Sequence, residues 1–214
     1  MDIGKAFSYV FEDEKWITKI LIGGLFVLLS PLLVGIPFLL GYMVETVRNV
    51  MMDEPRPLPE WTDLGDKFVK GLILTAIAIL YNLPIILLAC LLGIVAATAG
   101  DRGANAVRTG TLCVQCLASL WGLLFSVVFP AAVIRYAESG EFTSAFRFGE
   151  VFGLITANFG DYIVAILLGW VAGLIAGFGT ILCLVGVLFT TFWGYLVTAH
   201  LWGQVGRKAL PTAA

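Results

Sequence analysis

Charged residues divide the chain into long apolar blocks, and those blocks set the expected fold. Ile20–Val44 runs 25 residues without Asp, Glu, Lys or Arg, Gly71–Gly100 runs 30, Thr109–Ile134 runs 26 and Tyr162–Gly206 runs 45. A helix rises 1.5 Å per residue, so about 20 residues cross a ~30 Å hydrocarbon layer. The two middle blocks read as one span each, and the last as two spans joined by a tight turn. The first carries Ser30-Pro31 and Gly35-Ile36-Pro37 at its centre. Proline interrupts helical hydrogen bonding and restricts the residue before it, so this block reads as a hairpin with arms near Trp16–Ser30 and Pro37–Met51. Each arm is about 15 residues, or ~22 Å, short enough to be thin or re-entrant. The pattern predicts an all-α integral membrane bundle of about six transmembrane segments in three hairpins.

An amphipathic stretch precedes each hairpin. Ile3, Phe7, Val10, Phe11 and Ile17 fall near helical spacing, with Asp2, Lys5, Glu12 and Asp13 elsewhere on the wheel. Leu64, Phe68 and Leu72 alternate with Asp63, Asp66, Lys67 and Lys70. Phe142, Ala145, Phe146, Phe148, Val151 and Phe152 sit among Glu141, Arg147 and Glu150. Such segments are expected to lie flat at the headgroup boundary; the alternative is a polar extension of the following span. Units 1–57, 58–139 and 140–214 then form a weak internal repeat within a single membrane domain, 1–214. Leu33-Val34-Gly35-Ile36 followed by Gly41-Tyr42-Met43-Val44 is echoed by Leu184-Val185-Gly186-Val187 followed by Gly194-Tyr195-Leu196-Val197. All units share one orientation, unlike the inverted repeats of many transporters.

Composition agrees with the block pattern. The chain is 59% hydrophobic and 13% charged, against roughly 25% charged in ordinary soluble domains. A net charge of −2 leaves no basic surface for nucleic acid. The sign of the loop charges orients the bundle. With the N-terminus inside, Lys5, Lys15, Lys19, Arg48, Arg56, Lys67, Lys70, Arg135, Arg147, Arg207 and Lys208 lie on the inner side, and only Arg102 and Arg108 outside. This 11-to-2 split places the protein in the cell membrane, multi-pass, with both termini cytoplasmic. Trp16, Trp61, Trp170, Trp202, Tyr136 and Tyr162 fall near span boundaries as an aromatic belt. Cys90, Cys113, Cys116 and Cys183 all lie in apolar segments, so no disulfide framework is expected. The start of the chain is charged rather than apolar, and no cleavable signal peptide is read there.

Small residues form the clearest local pattern. Ala165, Gly169, Gly173 and Gly177 recur every four residues, as do Gly186, Thr190, Gly194 and Thr198, and both sets are expected to be helix-packing faces, against each other or another subunit. Asn82-Leu83-Pro84 predicts a kink in the third segment that could line a cavity, with Asn82 available to the freed carbonyl; Pro130 does the same in the fourth. Cys113-Val-Gln-Cys116 lacks a second ligand pair, so packing cysteines and an interhelical hydrogen bond from Gln115 are expected. His200, the single histidine, reads as an interfacial hydrogen-bonder, and Glu45 with Arg48 as a local pair. The stretch Asp53–Trp61 holds three prolines and reads as a stiff connector docked on the membrane surface. No paired carboxylates, histidine cluster or nucleophile–base pair falls within a span, so no catalytic residue, cofactor or metal is expected and the protein does not read as an enzyme.

The opening Ile3-Gly-Lys-Ala-Phe-Ser-Tyr-Val-Phe-Glu-Asp-Glu-Lys-Trp16, with Gly41-Tyr42, Arg48-Asn49 and Arg56-Pro-Leu-Pro-Glu-Trp61, resembles a prokaryotic family of small multi-pass membrane proteins of unknown function. The resemblance covers the first 70 residues and implies no substrate, cofactor or catalytic residue. A non-catalytic scaffold or subunit of a membrane assembly fits these features, with the bilayer and self-association or other membrane subunits as partners. The alternative is a transporter or channel for a small or lipophilic solute, made less attractive by the absence of an intramembrane charge.

Overall fold

Asp2 starts the first helix: its Oδ1 accepts the Lys5 N–H at 2.9 Å, as a helix N-cap does. Helix α1 spans Ile3–Ser8 and passes into a 3-10 turn, Tyr9–Glu12. Helix α2 is Trp16–Leu28 and α3 is Gly35–Met51. Between them Pro31 opens a 3-10 turn, Ser30–Leu32, and Leu33 takes the left-handed conformation at φ 62°. Gly35 is needed at this bend, because a Cβ there would stand 1.9 Å from the Phe26 carbonyl oxygen. Helix α4 is Leu64–Thr98 and α5 is Ala104–Ser139. A 3-10 turn, Phe142–Phe146, leads to α6, Phe148–Ala157. Helix α7 is Phe159–Gly177, followed by a 3-10 turn, Phe178–Leu182, and α8, Cys183–Ala209. The computed structural model describes residues 1–98 and 104–210. Among them all regular structure is helical, and Leu64–Thr98, Val107–Ser139 and Phe159–Ile181 are long and apolar enough to cross a membrane. Arg102, and the side chains of Cys183, Leu184 and Val185, lie outside the described set.

Two of the three amphipathic stretches stand apart from the helix that follows. Asp13–Lys15 separates the first from α2, so Ile17 belongs to α2 rather than to the amphipathic segment. Asn158, at φ −137° and ψ 52°, separates α6 from α7. The second stretch is corrected: Leu64–Leu72 is no flat helix but the opening turns of α4. Asp63 caps it by accepting the Asp66 N–H at 3.2 Å, and no glycine–proline break follows to end a separate element.

The core sits at the charged end. Ala6, Val10, Tyr42, Val47, Leu74 and Ile134 are fully enclosed there. Helix α8 is its pillar, packed against α2, α3, α5 and α7. By contrast, no described residue from Ala78 to Thr98 or from Asn105 to Val127 is buried. The distal two-thirds of the α4–α5 hairpin therefore contributes no buried residue among those described, and Tyr81 near its base still bonds the Ala145 carbonyl and stacks on Phe146.

Glycines set the closest crossings. A Cβ at Gly71 would lie 1.6 Å from the Pro37 carbonyl oxygen, and one at Gly41 would lie 1.8 Å from the Lys67 carbonyl oxygen. Helices α3 and α4 thus touch backbone to backbone, which only glycine permits. The α7–α8 pair is close, but its register differs from the expected one. Gly169 faces Thr198, and Gly194 faces Ala172 and Ala176. Gly173 and Gly177 face open space. The Gly186 carbonyl accepts Thr190 Oγ1 at 3.1 Å. The buried face of α7 runs Ala165, Ile166, Ala172, Ala176. A strict four-residue step turns about 40° further at each repeat of a 3.6-residue helix, which carries Gly173 and Gly177 off the contact.

Candidate functional site: polar chambers at the charged end

A buried lysine organises the first chamber wall. Lys19 is 3% exposed, and a desolvated ammonium needs all its donors satisfied. Its Nζ donates to Asp13 Oδ2 at 2.7 Å and to the Leu58 carbonyl at 3.0 Å, and lies 3.1 Å from Glu60 Oε1. Burial pushes the Asp13 carboxyl up, but hydrogen bonds from Lys19 and the Lys15 N–H outweigh it and hold Asp13 below the usual carboxylate range. The proline-rich loop is strapped over this pair. Tyr42 donates to the Pro59 carbonyl at 2.8 Å, Asn49 Nδ2 to the Pro57 carbonyl at 3.0 Å, and Trp61 Nε1 to the Lys19 carbonyl at 3.1 Å. The Trp61 ring stacks 4.4 Å from Tyr42, and Arg56 meets Glu14 at 2.8 Å. The loop docks on α2 and α3, and the Phe7–Trp16 and Arg56–Trp61 segments form one interlocked unit.

His200 lies behind this strap, 4% exposed like its neighbour Gln204. The Asp2 N–H donates to Gln204 Oε1 at 2.7 Å. A backbone N–H can only donate, so this bond orients the carboxamide. Gln204 Nε2 then donates to the Asp2 carbonyl at 2.8 Å and faces His200 Nδ1 at 3.0 Å. Nδ1 is therefore the acceptor, and the imidazole proton resides on Nε2. The Tyr9 ring covers His200 at 4.3 Å, and Tyr9 donates to the Leu196 carbonyl at 2.8 Å. A cavity of about 170 Å³ opens here, lined by Lys5, Asp53, Glu54, His200, Gln204 and Arg207 among others. A neighbouring one of about 220 Å³, sharing Lys5 and Pro57, is lined by Glu12, Asp13 and Arg56.

The other expected site residues fall elsewhere. Glu45 pairs with Lys67 at 2.7 Å and Lys70 at 3.0 Å on α4 rather than with Arg48. Asn82 Nδ2 bonds back to the Ala78 carbonyl at 2.8 Å. The carbonyl that Pro84 leaves without an amide partner is that of Leu80, four residues earlier, so Asn82 does not serve it. Pro84 does line an apolar groove of about 360 Å³, with Tyr81, Trp121, Phe125, Phe146 and Phe148. Gln115 is exposed on the free part of α5, and its carboxamide makes no interhelical hydrogen bond among the described residues. Cys90, Cys113 and Cys116 are free thiols, exposed on the same hairpin. The structure thus brings His200 together with the polar loops, sets Pro84 but not Asn82 in the lining of the groove, and leaves Gln115 apart. Among the described residues no group of three His, Cys, Asp or Glu is placed to hold a metal ion. Sequence reasoning missed the Lys19 hub. Its one signal was a lysine at the very edge of a 25-residue uncharged run.

Over residues 24–185 the chain matches the family described as "Protein of unknown function (DUF4013)", and it belongs to that family. The matched region includes the Arg56–Trp61 segment and starts after the Phe7–Trp16 segment. No curated protein and no solved structure matches the chain.

Proposed function

We propose that this DUF4013 member is a non-catalytic scaffold or subunit of a membrane assembly, anchored as a multi-pass protein of the cell membrane with both termini cytoplasmic. The 11-to-2 charge split supports the orientation, as does the gathering of Lys19–Asp13, Glu45–Lys67, Arg135–Glu138 and Lys208–Asp161 pairs around one end of the bundle. On this reading α4, α5, α7 and α8 cross the bilayer. The α2–α3 hairpin enters from the inner face, since α2 has 13 residues and reaches about 20 Å.

The observation that carries the proposal is the length of the α4–α5 hairpin. Its described arms run about 42–47 Å from Lys70 to Thr98 and from Arg135 to Ala104, against ~30 Å of hydrocarbon, and no described residue from Ala78 to Thr98 or from Asn105 to Val127 is buried. The last hairpin, from Asp161 to Ile181, is about 30 Å deep and fits. An over-long apolar element is accommodated by tilt or by association with other helices, and Gln115 on its surface asks for a partner donor or acceptor. A photo-activatable side chain at Leu91 or Leu120 tests this in membranes. The proposal expects cross-links to a second copy or to another membrane protein, with none from the same probe at Leu32 on the first hairpin. Cross-links to lipid alone at all three positions would overturn it.

One observation favours a second reading. The aromatic groove beside Pro84 would suit a lipophilic solute, and saturable binding of such a solute, lost on Phe125→Asp, would move the protein to the transporter class.

A further inference from the structure

We propose that the chamber in front of His200 is a binding site for a small zwitterion carrying one carboxylate and one ammonium group, of the α-amino acid kind. This goes beyond the scaffold reading and does not depend on it.

The cavity holds about 170 Å³, room for five or six waters at ~30 Å³ each or for a molecule of little more than that many heavy atoms. Its floor is His200, a side chain 4% exposed. The orientation of Gln204 puts the imidazole proton on Nε2, and Nε2 has no hydrogen-bond partner among the described residues. With Nδ1 engaged, the polar atom His200 offers to the cavity is an N–H donor. Nε2 is not among the fully enclosed unpartnered atoms, so it keeps access to the cavity, and the acceptor atom of a ligand can take this N–H as its hydrogen-bond partner.

The charges around the mouth complete the pattern. Arg207 is taken by Asp53, and Asp2 Oδ1 is engaged by the Lys5 N–H. The Lys5 ammonium and the Glu54 carboxylate line the same cavity, and neither has an ion-pair partner among the described residues. The walls thus present one cation, Lys5, and two carboxylates, Asp2 and Glu54, without an ion-pair partner among the described residues, with a neutral donor behind them. A simple anion would meet Asp2, Asp53 and Glu54 as well as the cations. A zwitterion places its carboxylate on the His200 N–H and Lys5 and its ammonium on Glu54.

The single histidine makes the test direct. The full-length protein, labelled with ¹⁵N only in histidine and reconstituted in lipid nanodiscs, gives one imidazole spectrum. The proposal expects the Nε2–H tautomer. It also expects at least one of the twenty amino acids, titrated to 10 mM, to shift the Nε2 resonance saturably, while sodium acetate and methylammonium chloride do not. Lys5→Met and Glu54→Gln, both at exposed positions, should each weaken that binding at least tenfold with the tautomer unchanged. No saturable shift with any amino acid, equal shifts in both variants, or an Nδ1–H tautomer overturns the proposal.

Discussion

Gly71→Ala is expected to break the α3–α4 crossing. The added methyl would stand 1.6 Å from the Pro37 carbonyl oxygen and 2.7 Å from the Gly41 amide nitrogen. These are backbone atoms of α3, so no rotamer change relieves the clash. Ordinary contact needs about 3.2 Å or more, and the helices must separate by roughly 1.5 Å to provide it. The separation also strains Lys67–Glu45 and Lys70–Glu45, which tie the same two helices at 2.7 and 3.0 Å. Overpacking of this kind costs about 1–3 kcal/mol or more, and rigid backbone on both sides puts Gly71 at the upper end. At ~2–4 °C per kcal/mol for a chain of this size, the unfolding midpoint should fall by roughly 5–10 °C. Thermal unfolding in one detergent, followed by near-ultraviolet circular dichroism, reads the shift. The control is Gly173→Ala, where a Cβ meets nothing within 4 Å. There alanine is expected to be neutral or to stabilise by up to ~1 kcal/mol through helix propensity. A Gly71→Ala midpoint equal to or above that of the wild type would refute the reasoning.

Lys19→Met leaves Asp13 buried without its cation and should destabilise by about 3–5 kcal/mol, whereas Lys19→Met with Asp13→Leu should recover much of the loss; denaturation midpoints of the three variants check this. Asp13, held below its unfolded value of about 3.9, contributes stability that is present above that pH and lost as pH falls through its lower folded value; Asp13→Asn should therefore be less stable at pH 7 and should lose less stability on acidification between pH 4 and pH 2. Tyr42→Phe removes the bond to the Pro59 carbonyl and should cost about 1 kcal/mol while exposing the 53–61 loop to limited proteolysis. Cysteine placed at position 5 or 208 should react with impermeant maleimide only in inside-out vesicles; labelling in intact cells would reverse the orientation proposed.

The membrane blocks were legible because hydrocarbon imposes long uncharged runs, and the four runs of 25 to 45 residues became the helices α2–α3, α4, α5 and α7–α8. The bend at Ser30–Leu33 was legible from its prolines. What failed was what depends on rotation and on distance along the chain. The four-residue ladder Gly169–Gly173–Gly177 looked like one face, yet its drift around the helix left Ala172 and Ala176 as the true contacts. Gly41 was visible only as part of a repeat motif and Gly71 in no pattern, and the two meet only when α3 and α4 cross. Glu45 had a charged neighbour at Arg48, but α4 brought two better-placed lysines. The Lys19–Asp13–Glu60 hub joins residues from two segments whose pairing no periodicity encodes. His200 was singled out as the one histidine and meets Gln204 within α8, while its chamber needed the Asp2–Gln204 bond, which spans 202 positions of sequence.

The central claim, that this chain works as a member of a membrane assembly, is tested most directly by mass. Native mass spectrometry of the protein extracted from its own membrane in polymer-bounded lipid discs measures the protein mass around each copy. The account predicts a defined species above the 23.1 kDa of the single chain, either a multiple of it or the sum with another membrane subunit, which dissociates when Gln115 and Leu120 are replaced by lysine. A single population at 23.1 kDa would contradict it.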